Sequence, residues 1–185
     1  MTPTQPVFYY DLGNPGCYLV AERIMSELAP VPEWEPVLGA ALGVATAEPD
    51  RDSVGRQVAQ LGLQPLRWPA AWPPDTEPAM LAATYAKRVG RAVAFSLAAF
   101  RQAFAGGRDL GDQGTVLIAA AACEMHPTAV LKAVGLRSVK AALQSAGERA
   151  IAAGARSLPA IEVGGEVFEG QHCIEQAGAA LGARS

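Results

Sequence analysis

Two short segments near opposite ends of the 185-residue chain hold most of the residues able to do chemistry: Asn14-Pro15-Gly16-Cys17, and Leu158-Pro159 followed by Gln171-His172-Cys173. The Asn14 amide can donate to a thiolate, an enolate oxygen or a carboxylate, but it cannot serve as nucleophile or general base. Its alternative role is that of a helix N-cap, worth about 1 kcal/mol. Cys17 falls on the first turn of the helix that Asn14 would open. There, unpaired N–H groups and the helix dipole can pull a thiol below its ordinary pKa of about 8.5 and give a single reactive thiol. The other reading of Cys17 is a small buried residue packed on a sheet. Gln171 and His172 open the last helix, whose free N–H groups suit an anion; the alternative is a solvated helix start. Cys173 and Cys123 read as packing residues and His126 as a helix terminus. Two histidines and three cysteines show no metal-ligand spacing, so no metal is expected.

The elements needed to position these residues are legible in order. Val7 to Leu12 is a β-branched and aromatic run of strand type. Asn14 as cap, Pro15 in the first turn, and Leu19, Val20, Ile24, Met25 and Leu28 as an apolar face predict a helix that stops before Pro30. Trp34 to Leu38 reads as a second strand. From Ala40 to about Gly154 the periodicity is helical, interrupted by an extended segment that contains Pro65, Pro69, Pro73, Pro74 and Pro78. Helices are expected over Ala79–Gly90, Ala92–Ala105, Thr115–Glu124, Thr128–Val134 and Ser138–Ala153. Strands near Ala160–Val163 and Glu166–Phe168, joined through Gly164-Gly165, and a helix near His172–Leu181 complete the chain. The expected organisation is α/β: residues 1–39 and 155–185 form a β-α-β … β-β-α unit of thioredoxin-like type, and 40–154 an all-helical insertion.

Composition narrows the function classes. Half the residues are hydrophobic, enough for a sizeable core, and the longest wholly apolar run, Val116 to Cys123, is too short to span a bilayer. A net charge of -3 with no Lys/Arg cluster argues against nucleic acid as a partner. Met1 to Pro6 has neither a basic stretch nor a following apolar segment of signal type, and no Cys-x-x-Cys occurs. A cytoplasmic location and no membrane partner are therefore expected.

With these pieces in order, the sequence resembles the DsbA-like branch of the thioredoxin superfamily, and within it the 2-hydroxychromene-2-carboxylate isomerases and kappa-class glutathione transferases. The resemblance rests on the first strand and its Pro15-x-x-Tyr18-Leu19 turn, Pro36-Val37-Leu38-Gly39, Arg67-Trp68-Pro69, Gly106-Gly107-Arg108-Asp109, Leu158-Pro159, Gly164-Gly165 and Gly170-Gln171. It implies a cis bond at Pro159, with the Leu158 backbone turned toward a ligand groove, and a homodimer as in many relatives. The chain departs from the pattern at three places. Asn14 stands where dithiol oxidoreductases carry the attacking cysteine and glutathione-using relatives a serine. Asp75 stands for an asparagine of the proline-rich segment, and His172 for an aspartate opening the last helix.

The resemblance implies an enzyme that acts on a small, aromatic or conjugated carboxylate, with glutathione or another low-molecular-weight thiol as cofactor. The isomerisation would run through a thiol adduct that permits bond rotation. Asn14 and Cys17 are the expected catalytic positions; Leu158, Pro159, Gln171, His172, Trp68 and Asp75 are the expected substrate and thiol contacts. Trp72 and Tyr85 would extend an apolar wall with Trp68, or pack within the insertion. A binding protein that keeps the groove without turnover is the alternative. A disulfide oxidoreductase is disfavoured because Cys17 has no partner thiol.

Overall fold

The computed structural model describes residues 5–43 and 48–183. Its centre is a four-stranded sheet in the order β2-β1-β3-β4, formed by β1 (Val7–Tyr10), β2 (Glu33–Pro36), β3 (Ala160–Val163) and β4 (Glu166–Glu169). The first strand pairs parallel with β2 and antiparallel with β3, so the two ends of the chain meet at the middle of the sheet. Gly164 and Gly165 join β3 to β4 with φ of 57° and 87°; a two-residue hairpin turn of this hand needs both positive values, which glycine adopts without strain.

Alternation along the strands sends side chains to two cores. On one face Phe8 stands in register with Trp34 and Ile161, Tyr10 follows two residues on, and all four are buried. Helices α1 (Pro15–Glu27) and α8 (Cys173–Ala183) contribute Cys17, Val20, Ile24, Cys173 and Ile174 to this core. On the other face Tyr9 and Ala160 pack with Val37 against Ala146 and Ala150 of α7 (Arg137–Ala153).

The long block between the sheet segments is helical: a 3-10 turn at Gly39–Leu42, then α2 (Arg51–Gln60), α3 (Glu77–Arg88), α4 (Ala92–Phe104), α5 (Gln113–Ala122) and α6 (Pro127–Val134) before α7. It shares the main core instead of forming one of its own. The Tyr10 hydroxyl lies 2.6 Å from Ser96 Oγ, Tyr10 meets Phe100 at 5.9 Å between ring centroids, and Tyr18 stacks on Phe104 at 5.5 Å. Such ring pairs add about 0.5–1.5 kcal/mol each beyond area burial, so they help fasten α4 to α1 and β1. Helix α2 is the element absent from the sequence reading. Only Val58 is fully covered on it, and Gly55 interrupts its interior, so the apolar stripe that reveals a helix is thin. Asp50 opens it by accepting from the Ser53 N–H at 3.0 Å. Among the described residues no helix is long and apolar enough to cross a membrane.

Candidate functional site

Asn14 has extended backbone angles and caps α1: its Oδ1 accepts from the Cys17 N–H at 3.1 Å. Its Nδ2 donates to the Leu158 carbonyl, also at 3.1 Å. One side chain therefore stitches the start of α1 to the loop before β3, across 144 residues of sequence. The Leu158–Pro159 peptide is cis, as are Ala29–Pro30 and Trp72–Pro73. Gly16 fits closely between them: a Cβ there would stand 3.1 Å from Asn14 Oδ1 and 3.2 Å from Pro159 Cδ, so both neighbours would have to give. The loop is held from its other side by Glu169, whose carboxylate accepts from the Arg156 and Ser157 N–H groups and from Ser157 Oγ. Burial opposes the charged form of Glu169, but these bonds outweigh it and lower the carboxyl pKa.

Beneath the turn sits Asp11, which the sequence reading did not single out. Its carboxylate accepts from the Gly13 N–H at 2.9 Å, the Gly39 N–H at 2.7 Å and Thr76 Oγ1 at 3.0 Å. It thus ties the β1–α1 turn, the exit of β2 and the entry to α3 into one knot. The sequence cue was an acidic residue at the end of an otherwise uncharged strand.

Asn14, Leu158, Pro159 and Gln171 come together on a cleft of about 240 Å³. The volume falls below the roughly 300–1,000 Å³ of drug-sized ligand pockets, so its occupant is small. Its floor is the outer side of α1, from Gly16 through Leu19 and Val20 to Arg23; its far wall is Val54 and Gln57 of α2 with Leu61 just beyond. The wall contributed by α2 was missed together with that helix. Among the described residues the Leu158 N–H has no hydrogen-bond partner, and the Asn14 amide keeps its second N–H beside it. Both residues that carry these donors line the cleft, as does Gly16 in the first turn of α1.

The remaining expected contacts lie elsewhere. Cys17 is fully buried and does not line the cleft; burial first, and then the charge of Asp11, drive its thiol well above the ordinary value. Desolvation thus overrides the helix-end activation expected from its position, and the packing reading of Cys17 is the one the structure supports. Trp68 likewise lines no part of this cleft. It packs on Trp72 at 5.6 Å and Phe104 at 6.1 Å, while the Arg51 guanidinium covers its ring at 4.9 Å, so it anchors α2 instead of touching a ligand there. Asp75 is exposed and accepts from the Glu77 N–H at the start of α3. His172 is exposed, with Nε2 at 2.9 Å from Gln171 Nε2, and stands outside the cleft lining. Trp72 and Tyr85 also stand outside it. Among the described residues no group of His, Cys, Asp and Glu is arranged to hold a metal ion.

Burial of all three cysteines gives an expected result. Iodoacetamide at neutral pH should leave Cys17, Cys123 and Cys173 unmodified in the folded protein and label all three in urea, as read by intact mass. Rapid native labelling of Cys17 would contradict the buried placement.

A parallel-antiparallel sheet with the first helix capped against a cis-proline loop, and a helical block inserted between its halves, defines the DsbA-like thioredoxin fold. The solved structures agree. The chain is similar to a 2-hydroxychromene-2-carboxylate isomerase, with a TM-score of 0.83 and 15% identity over 97% of this chain and 95% of that one. It is similar to a probable DsbA oxidoreductase from Streptomyces coelicolor, with a TM-score of 0.78 and 19% identity over 97% and 89%. It also resembles the cytosolic disulfide reductase DsbM of Pseudomonas aeruginosa, with a TM-score of 0.68 and 16% identity over 97% and 98%. No family model and no curated protein sequence matches the chain.

Proposed function

We propose that the chain binds a small carboxylate in the cleft at the Asn14–Leu158 junction and acts on it with a thiol supplied from solution, as a thiol-assisted isomerase or transferase. The observation behind this reading is the pair of unspent donors, Leu158 N–H and the second Asn14 N–H, on two residues that line the cleft beside the start of α1. An oxygen that gains negative charge there would be stabilised by both donors in a partly dehydrated site. The protein's own thiol cannot take part while Cys17 is buried, which favours glutathione or a similar low-molecular-weight thiol as co-reactant. Its thiolate would add to a conjugated double bond of the substrate, converting the π bond to a C–S bond and moving the electron pair onto the carbonyl oxygen. After rotation about the resulting single bond, the pair returns, the double bond re-forms and the thiolate leaves, so the thiol is not consumed. Asn14 and the Leu158 N–H hold the transient oxyanion.

A non-catalytic binding protein is the second reading, favoured by one specific fact: both polar atoms of the Asn14 amide are already engaged, in the cap and in the loop. Calorimetric titration with glutathione and aromatic 2-oxo acids, followed by assay of thiol-dependent cis–trans isomerisation, separates the two. Asn14→Ala is expected to weaken binding about tenfold, the loss of roughly one hydrogen bond to a charged group. Binding without turnover would leave the second reading, and no binding at millimolar concentration would reject the carboxylate site.

A further inference from the structure

Resting on that reading of the cleft, a second polar anchor emerges at its other end. Arg23 lines the cleft nine residues beyond Asn14 on the same helix. Its Nε donates to Glu27 Oε1 at 3.0 Å, and its Nη2 is shared between Glu27 Oε2 and Glu175 Oε1, both at 2.7 Å. The guanidinium is thus fixed by carboxylates from two helices, α1 and α8. Among the described residues its Nη1 has no partner. The Gln57 side chain across the cleft has none either, and Gln171 is engaged only by His172.

The two ends differ in what surrounds them. Leu19, Val20, Val54 and Leu61 separate the Asn14–Leu158 donors from Arg23 with apolar surface. At 1.5 Å of rise per residue, Asn14 and Arg23 are about 13 Å apart along the axis. The paired bonds to Glu27, one turn further on, hold the guanidinium toward the C-terminal end of α1, so it stays about that far from the first anchor. The two carboxylates that hold Arg23 have side chains 41% and 52% exposed, so solvent weakens their repulsion of an anion in the cleft. Donors about 13 Å apart along α1 with aliphatic residues between them suit an elongated ligand.

We propose that the cleft selects elongated molecules with an acceptor group at each end, of the α,ω-dicarboxylate class. One carboxylate meets the Asn14 and Leu158 donors, and the other meets Arg23 Nη1 with Gln57. A simple monocarboxylate uses the first anchor alone.

The test is a calorimetric series of glutarate, adipate, suberate and sebacate against octanoate on the intact chain, at one ionic strength. Affinity is expected to rise with length and to peak at suberate or sebacate, about tenfold above octanoate, the gain of one charge-assisted contact. Arg23→Gln should abolish that advantage, read as the ratio of dicarboxylate to octanoate affinity on the same variant. Glu175→Gln, which keeps the guanidinium and removes one of its supports, should reduce the advantage only in part, and thermal melting of both variants checks that they fold. Octanoate bound with no gain for any dicarboxylate, or a gain that survives Arg23→Gln, overturns this inference and leaves the carboxylate site standing. Failure of every carboxylate to bind overturns the site itself.

Discussion

Replacing Asp11 with alanine is expected to destabilise the protein by about 3 kcal/mol, a drop of about 6–12 °C in Tm for a chain of this size. The cause is not the loss of a charge but the orphaning of three donors, the N–H groups of Gly13 and Gly39 and the hydroxyl of Thr76, at a point where three segments converge. Water can re-pair only some of them, because a Cβ at Gly13 would already stand 2.5 Å from the Thr76 methyl, which shows how little room the knot has. Asparagine is a poor substitute. Its amide NH2 would face the Gly39 N–H or the Gly13 N–H, donor against donor. Burial raises the Asp11 carboxyl pKa, and the three hydrogen bonds pull it back only in part. A raised folded pKa contributes stability that is complete below the exposed-carboxylate value of about 3.9 and is lost as pH climbs through the folded value. The advantage of wild type over Asp11→Asn should therefore shrink as pH rises from about 4 to neutrality. Melting curves across that range check it, and an advantage that grows with pH would show the carboxylate to be stabilised in its charged form instead.

The second large effect is a gain of chemistry. Asn14→Cys should give a protein that forms an intramolecular disulfide with Cys17 under diamide, each thiol losing one hydrogen to the oxidant. The basis is the cap geometry: the side chain at 14 already reaches back over the first turn to the Cys17 N–H, as expected of an N-cap and its third successor. Intact mass should fall by the mass of two hydrogens and return with dithiothreitol, and insulin reduction should appear in the variant and not in wild type. The variant also gives up the Leu158 bond and the amide cap, costing about 1–2 kcal/mol in its reduced form. A variant that stays dithiol under diamide would mean that the buried Cys17 sulfur points away from position 14.

What the sequence disclosed follows from which signals are local. The cap at Asn14, the proline after it, and the paired glycines at 164 and 165 are local rules, and the structure places each where those rules put it. The order of strands and helices also followed from periodicity, because β1 and β3 are short, apolar and flanked by turn residues. The cleft was half legible. Asn14, Leu158, Pro159 and Gln171 came from their spacing in a familiar pattern, and they do converge. Arg23, Gln57 and Asp11 did not stand out, because a surface-helix arginine, a glutamine on a weakly amphipathic helix and a strand-end aspartate look ordinary until their partners are in view. Cys17 misled for the reverse reason: its place on the helix was read correctly, but the depth of the sheet packed over it is a tertiary fact. Trp68 was similarly claimed by neighbours, Arg51 and Phe104, that no spacing rule connects to it.

The central pairing of β1 with β3 carries a consequence for biosynthesis. Tyr9 and Glu162, which hydrogen-bond across that pairing, lie 153 residues apart. At about 5–20 residues per second on the ribosome, β1 waits on the order of ten seconds for the strand that flanks it. During that interval only β2 and the helices are available to cover Phe8 and Tyr10. The helices of the middle block, rich in local contacts, can close around Tyr10, Tyr18 and Phe100 first and shield the exposed strand edge until β3 and β4 emerge. Shortening the inserted helices is therefore expected to be felt first as aggregation during synthesis.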